Sequence, residues 1–523
     1  MTEQPGPNGH AMSGTGSDFA DFLLGLPDAS SIAYSPSGAD KYFRASWADA
    51  YVTDDWHVRG NFSVNVGLRW DFQAPVTELY NRLVSLEVGP DWTTQTPVCA
   101  AAPPGTCTLA SQFGLPDSLV RPDYHEFQPR IGIAWRPIPK HSTVVRAGYG
   151  LYYNTSVFQP LANQMSQQAP LSKSVTQSYS VSDAKSVPLP QGPQPLTIED
   201  ALQVPAISTT PQTFALDPNF RIGYIHYWQA LVQQNLRGSF VATFTYSGNK
   251  GTHQVQEFLP WTFPAGDPLS PYPHGYVYET SSGNSNYNAA SAQLQHRFHN
   301  GFLANSTYVF SKAIDDAQTL GGRGAAGSGY AQNWLDLAAE RSVSSFNRAN
   351  TLNLVLQYST GMGTRGGTLI NGWKGVLLKD WTLGPSLTLG SGLPATPIVI
   401  GRLTSGTGIT GTTRADYLGG PLAAVLPGYG FDTAVFAAPP DGQWGDAGRG
   451  IITGPMQFGL NASASRVFRF GERRSMDIRF DGTNVLNHVT WASWNTTLGN
   501  SQFGLPTGAN AMRNITATVR FRF

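Results

Sequence analysis

The sequence carries few charges and no long apolar run. Lys, Arg, Asp and Glu supply 13% of its 523 residues, about half of the roughly 25% that is usual in soluble domains. The 34 basic and 34 acidic residues cancel, so the composition does not indicate nucleic acid or another polyanion as a partner. No stretch of about 18 apolar residues is present, which excludes a helical membrane protein.

Cysteine is also scarce. Cys99 and Cys107 lie close together in a stretch rich in Pro and Gly. We predict that they form a short disulfide in an oxidising compartment, and a pair of free thiols is the alternative. Residues 1–17 are predicted to be a disordered segment, and they lack the apolar core of a signal peptide. Either the assigned start is wrong or the chain is a piece of a longer one.

Aromatic residues and turn formers are abundant instead. The sequence contains 13 Trp, 21 Tyr, 27 Phe, 56 Gly and 37 Pro, yet its mean hydropathy is only −0.22. This combination is typical of a transmembrane β-barrel, because alternate residues of each strand are polar and face the lumen.

The last residues of the chain alternate in polarity. A strand presents successive side chains to opposite faces, so one face of this strand is apolar and the other polar. The apolar set is Ile515, Ala517, Val519, Phe521 and Phe523, and the polar set is Thr516, Thr518, Arg520 and Arg522. The pattern favours the closing strand of a membrane barrel, with a buried terminal strand of a soluble sandwich as the alternative.

The spacing of the predicted strands points the same way. Short and long connections alternate along the chain, as in membrane barrels with short periplasmic turns and long external loops. A further strand at Asp18–Pro27 is needed before the first pair, which gives about 14 strands. The other predicted strands are 46–58, 61–73, 127–136, 142–154, 223–236, 239–250, 286–298, 302–312, 346–358, 378–391, 456–468, 474–487 and 510–523. The fold predicted is therefore an all-β, transmembrane, antiparallel up-and-down barrel.

Charged residues within the strands share one face. Arg69 and Asp71 oppose an apolar row, and so do Asp477, Arg479 and Asp481. A charge at the bilayer midplane costs about 2–4 kcal/mol, so we predict that these five residues face the lumen and form ladders of salt bridges.

The search for catalytic chemistry gives only weak candidates. The segment Gly406–Gly411 has the G-x-G-x-x-G spacing, but no amphipathic helix follows to bind a pyrophosphate. His296 and His299 could ligate a metal, although a solvated turn is favoured. Asp54–Asp55 and Asp315–Asp316 could bind calcium, although an exposed charge pair in a hairpin is favoured for each. We predict no enzymatic activity, no catalytic residue, no cofactor and no metal.

A series of segments recurs in a characteristic order along the chain. They are Phe19–Gly25, Tyr51–Trp56 with Asn65–Trp70, Pro129–Trp135 with Arg146–Gly150, Ser285–Ala289 with Tyr308–Asp316, Ser391–Pro394, Gly445–Gly454 and Phe480–His488. Together these segments resemble the Oar-like TonB-dependent receptors. Their order and number make the resemblance specific, and it extends over residues 18–523.

The resemblance implies a 22-stranded barrel that is filled by an N-terminal plug and preceded by a carboxypeptidase-like sandwich. Plug and sandwich are expected to be absent here, so the sequence resembles the C-terminal part of such a receptor. The implied function is passage of a large ligand across the outer membrane of a Gram-negative bacterium, by capture in the loops and plug-gated transport. A structural or adhesive barrel, or an ungated pore, is the alternative.

The resemblance also implies partners. These are outer-membrane lipid, the barrel-assembly machinery, an unknown ligand such as a glycan or a siderophore, and the TonB complex if a plug is supplied. Phe521 and Phe523 would belong to the C-terminal signal for barrel assembly.

Overall fold

The structure is a computed structural model of the chain. It describes residues 23, 29–34, 40–90, 92, 94–101, 107–138, 142–168, 170–171, 173–178, 214–260, 276–317, 330–361, 372–400, 412–440, 443–471 and 474–523.

Thirteen long strands form the scaffold of the described chain. They confirm all of the predicted strands except Asp18–Pro27, which, apart from Leu23, lies outside the described residues. The strands are β1 Trp47–Arg59, β2 Phe62–Gln73, β3 Phe127–Trp135, β4 Val144–Tyr153, β5 Tyr224–Asn235, β6 Phe240–Phe258, β7 Val277–His299, β8 Phe302–Asp315, β9 Asn350–Ser359, β10 Trp381–Gly390, β11 Gln457–Phe470, β12 Arg474–Thr483 and β13 Asn514–Arg522.

The thirteen strands belong to one barrel sheet with up-and-down order. Each strand pairs antiparallel with its neighbours in the sequence, from β1–β2 to β12–β13. Tight turns join several pairs: Asn300 and Gly301 between β7 and β8 both have positive φ, at 52° and 79°. Positive φ at both central residues matches the right-handed twist of the flanking strands.

The two terminal strands differ from the others. Within the described residues, β1 forms a ladder with β2 alone and β13 with β12 alone, and both strands are exposed along their whole length. Because thirteen is odd, β1 and β13 run in the same direction. A direct pair between them would be parallel, and antiparallel closure takes an odd number of further strands.

β6 and β7 are longer than the sequence predicts. The sequence predicts that β6 ends at residue 250 and that β7 begins at residue 286. In the structure, β6 continues to Phe258 and β7 begins at Val277. Register shifts at Gly251/Gln254 and Gln254/Gln256 interrupt the pairing, and such bulges break the simple alternation by which a strand is recognised in a sequence.

One face of the sheet is apolar from strand to strand. The registers place Leu68 beside Pro129, Phe244 beside Val232 and Val519 beside Ile478 on this outward face. On β3 the outward residues are exposed and the inward ones are half-buried or buried. A soluble protein would bury such a row, whereas a membrane barrel presents it to lipid.

The long connections are folded, and together we call them the cap: residues 74–126, 154–223, 259–276, 316–349, 391–456 and 484–513, as far as they are described. Connections 74–126 and 154–223 share an apolar core with helix α1, Phe158–Met165, which buries Phe158, Leu161, Ala162 and Met165. This spacing follows one face of a helix. Connections 391–456 and 484–513 share a second core of Val399, Ala415, Phe431, Val435, Phe436, Ala447 and Ile452, with Trp494 and Phe503 packed against it.

Smaller elements complete the described chain. Two-stranded and three-stranded sheets lie outside the barrel sheet, such as Ala29–Tyr34 with Lys173–Ser178 and Pro394–Ala395 with Ile452–Thr453. Helix α2, Gly372–Leu378, lies in the connection between β9 and β10. None of the helices in the described part is long and apolar enough to cross a membrane.

Candidate functional site: barrel interior and cap

The inner face of the sheet carries charged ladders. Arg69 Nε lies 2.6 Å from Asp71 Oδ1, and Arg69 Nη2 lies 3.4 Å from Asp49 Oδ2 on the neighbouring strand. Gln128 on β3 donates a hydrogen bond to the other oxygen of Asp71. Three strands are therefore joined by polar contacts on the face opposite the apolar row.

A second ladder lies near the other end of the sheet. On β12, Arg479 Nε lies 2.7 Å from Asp481 Oδ2 and Arg479 Nη2 lies 2.9 Å from Asp481 Oδ1. The side chains are 56% and 41% exposed, and they lie on the face opposite the apolar row of Met476, Ile478 and Phe480. Asp477 occupies the same face, opposite Arg520 of β13 in the ladder.

The cap contains a buried charge cluster, formed by Asp315, Glu340, Arg414 and Arg449. Arg449 Nη2 donates to the carboxylate of Asp315, and Arg414 Nη1 lies 2.9 Å from both carboxylate oxygens of Glu340. Arg449 Nε also lies 3.1 Å from the Glu340 carbonyl oxygen. Two carboxylates thus meet two guanidinium groups, and the cluster joins the outer end of β8 to connections 316–349 and 391–456.

This cluster corrects the prediction for Asp315–Asp316. Neither side chain is part of an exposed charge pair: Asp315 is 2% exposed, and Asp316 Oδ1 accepts a hydrogen bond from the Asn284 backbone at 2.5 Å. The sequence could not show this, because the partner of Asp315 is 134 residues away.

Glycines of connection 391–456 allow segments of its backbone to lie close together. A Cβ on Gly392 would collide with the Gly454 carbonyl, and one on Gly445 would collide with the Arg414 carbonyl. These residues belong to the segments Ser391–Pro394 and Gly445–Gly454 that carry the family resemblance. Both segments therefore build the cap.

Glu126 is a buried carboxyl group of the cap, directly before β3. It is 0% exposed, and neither carboxylate oxygen has a hydrogen-bond partner in the structure. Burial raises the pKa of Glu126 to about 7, and the negative charges of Asp123 and Asp71 contribute to the same shift. Sequence reasoning missed this residue, since its isolation depends on the packing of the cap.

The histidine pair is also corrected. His296 is not in a solvated turn: it lies in β7, is 8% exposed, and packs between the rings of Phe240 and Phe302 at 4.6 and 5.2 Å. In the described residues, no group of three or more His, Cys, Asp or Glu is placed to hold a metal ion. Gly406–Gly411 lies outside the described residues.

Cys99 and Cys107 form a disulfide in the cap, with their Cα atoms 6.2 Å apart. At the opposite end of the barrel, Phe521 lies on the outward face of the last strand, opposite Met476, and Phe523 follows the strand's last residue; they are 65% and 100% exposed.

Solved structures with a similar arrangement are outer-membrane receptors and transporters. The ferripyoverdine receptor FpvA of Pseudomonas aeruginosa is 10% identical, with a TM-score of 0.44 over 92% of this chain and 39% of that one. The outer membrane transporter YddB of Escherichia coli is 11% identical, with a TM-score of 0.44 over 95% and 52%. The ferric-catecholate import receptor Fiu of Escherichia coli K12 is 10% identical, with a TM-score of 0.43 over 92% and 45%.

The chain thus spans about two fifths to half of the length of these proteins. No curated protein matches its sequence significantly. The family model of the outer membrane beta barrel domain matches residues 2–516, in agreement with the apolar outward face and the polar interior. The chain therefore belongs to the outer membrane beta barrel domain family, and its location is the outer membrane of a Gram-negative bacterium.

Proposed function

We propose that the chain is the barrel part of a TonB-dependent transporter that moves a large ligand across the outer membrane. The observation that supports the proposal is the row of charged side chains opposite the apolar face, in which the Arg479–Asp481 pair is half-exposed. A polar interior is what a water-filled or plugged lumen requires. The segments shared with Oar-like receptors support this interpretation.

The cap supplies the second part of the proposal. Its two apolar cores and its charge cluster hold the long connections in a fixed arrangement, so the ligand would meet a preorganised surface. Preorganised surfaces lose less conformational entropy on binding than mobile loops do. A siderophore or a glycan is the ligand class we propose, with passage gated by a plug and driven by the TonB complex.

Transport is tested in cells that express the protein from its own locus. We expect deletion of the gene to abolish uptake of at least one member of a panel of ferric siderophores and oligosaccharides, and deletion of tonB to have the same effect. Uptake that persists without TonB would refute the proposal. In that case, conductance steps in planar bilayers would favour an ungated pore, and a silent bilayer would favour a structural or adhesive barrel.

Assembly requires a partner of its own. We propose that Phe521 and Phe523 are recognised by the barrel-assembly machinery, because both side chains are exposed at the end of the last strand. Phe523→Ala should slow insertion into vesicles that contain the machinery and leave spontaneous insertion into short-chain lipid unchanged. Equal slowing in both vesicles would show a structural role instead.

A further inference from the structure

The connection between β9 and β10 carries an exposed apolar helix. Within α2, Trp373, Leu377 and Leu378 are 71%, 58% and 54% exposed. The connection lies at the same end of the barrel as the tight turns, opposite the cap. None of the matching segments that carry the family resemblance contains this helix, and neither the charge ladders nor the cap explains three exposed large apolar side chains in seven residues.

The end of α2 is held firmly against the barrel. The Leu377 carbonyl oxygen accepts hydrogen bonds from Trp381 Nε1 at 2.9 Å and Arg466 Nη1 at 2.7 Å. The Leu378 carbonyl oxygen accepts one from Thr360 Oγ1 at 2.5 Å. These donors satisfy C-terminal carbonyls that a helix leaves without internal partners, so the helix keeps a fixed position on the sheet.

The contacts also show on which side of the sheet the helix lies. Trp381 and Arg466 are opposite each other in the β10–β11 ladder, in the same row as Leu383 and Ala464. This is the outward, lipid-facing row. Arg466 is nevertheless only 9% exposed, because its guanidinium group is covered by the Phe468 ring, 4.3 Å away, and by the end of α2.

We propose that α2 is an interfacial anchor that inserts Trp373, Leu377 and Leu378 into the membrane leaflet at the tight-turn end of the barrel. The occupant of this apolar surface is lipid, because the surface is continuous with the lipid-facing row of β10 and β11. Trp is favoured at the boundary between head groups and acyl chains, and helices with one apolar face lie in that plane. The inference rests on the membrane location and not on the transport proposal.

Spin labels measure the depth of this helix directly. The described chain has no free cysteine, so a single new cysteine at Leu377 or Trp373 can be labelled in vesicles of phosphatidylethanolamine and phosphatidylglycerol. Phe244→Cys on the outward row is the lipid control and Val425→Cys in the cap is the aqueous control; these residues are 63% and 71% exposed. Heat-modifiable gel mobility confirms that each variant is folded.

We expect the labels on α2 to be relaxed more by oxygen than by an aqueous nickel chelate, at a depth of about 5–10 Å below the head groups. The Phe244→Cys label should lie deeper, and the Val425→Cys label should show the reverse preference. Labels at positions 373 and 377 that behave like the one at 425 would overturn the proposal. Labels shielded from both reagents would also overturn it, because they would show that protein covers the helix.

Discussion

Removing Arg449 should open the cap without unfolding the barrel. Arg449 donates to the carboxylate of Asp315 and, through Nη2, to the Asp315 and Glu340 carbonyl oxygens, both at 2.9 Å. In Arg449→Met, the side chain of Asp315, which is 3% exposed, keeps its charge in a buried place without a cation. Breaking a buried ion pair in this way costs about 3–5 kcal/mol.

The loss of stability should be confined to the cap. The cluster joins connections of the cap to the last residue of β8, and the ladders between the strands do not depend on it. An opening free energy lower by about 3–5 kcal/mol corresponds to a roughly 10²–10⁴-fold larger opening constant. Hydrogen exchange measures it: amides of residues 340–345 and 447–453 should exchange faster by that factor, while amides of the strand ladders keep their rates.

The double variant Arg449→Met/Asp315→Leu is the matched control. It removes the orphaned charge together with its partner, and replacing a buried pair by apolar residues is often neutral. Its exchange should therefore return most of the way to that of the wild type. The reasoning would be refuted if the single variant exchanged at the wild-type rate, or if the double variant were as labile as the single one.

Three further predictions concern the cap. The pKa of Glu126 rises from 4.5 to about 7 on folding, so the folded state binds this proton more tightly than the unfolded state. As the pH increases from 4.5 to 7, the cap should lose about 3 kcal/mol of stability, and above pH 7 the stability should level off. Glu126→Gln should remove this dependence in exchange experiments, and an unchanged pH profile would contradict it. Replacing Cys99 and Cys107 by Ala should destabilise their connection by about 2–3 kcal/mol, measured by limited proteolysis; equal cleavage rates would argue against it. Gly392→Ala should push residue 392 away from Gly454 and cost about 1–3 kcal/mol of stability, which should appear as faster hydrogen exchange at residues 452–454. Gly459→Ala is the control: a Cβ at residue 459 meets no atom within 4 Å, so exchange should not change.

The barrel strands could be predicted because they have a local signature. An apolar residue at every second position identifies a strand that faces lipid, whatever its partners are. The bounds agree to within a few residues where the alternation is regular, as in β2 and β12. They fail in β6 and β7, where bulges near Gly251 and Gln254 change the period.

The cap could not be predicted, because its contacts join distant segments. The Arg449–Asp315 pair spans 134 residues, and nothing near Asp315 in the sequence distinguishes a buried carboxylate from an exposed one. His296 was misjudged for a different reason. The turn predicted at His296–His299 overlaps the end of the predicted strand 286–298, and the strand continues to His299, just before the tight turn at Asn300 and Gly301.

The contacts of the charged residues that are predicted to face the lumen could be predicted only in part. Alternation alone placed Arg69 and Asp71 on one face, and the structure brings them together in an ion pair. It could not predict that Asp49 and Gln128 join the same ladder, because cross-strand partners depend on the register.

The most direct test of the account is a cysteine scan of residues 476–481 in β12, in lipid vesicles. We predict a period of two: positions 477, 479 and 481 react with a water-soluble maleimide, while fluorophores at 476, 478 and 480 are quenched by brominated acyl chains. The opposite phase, or no alternation at all, would contradict it, because the apolar row would then not face lipid.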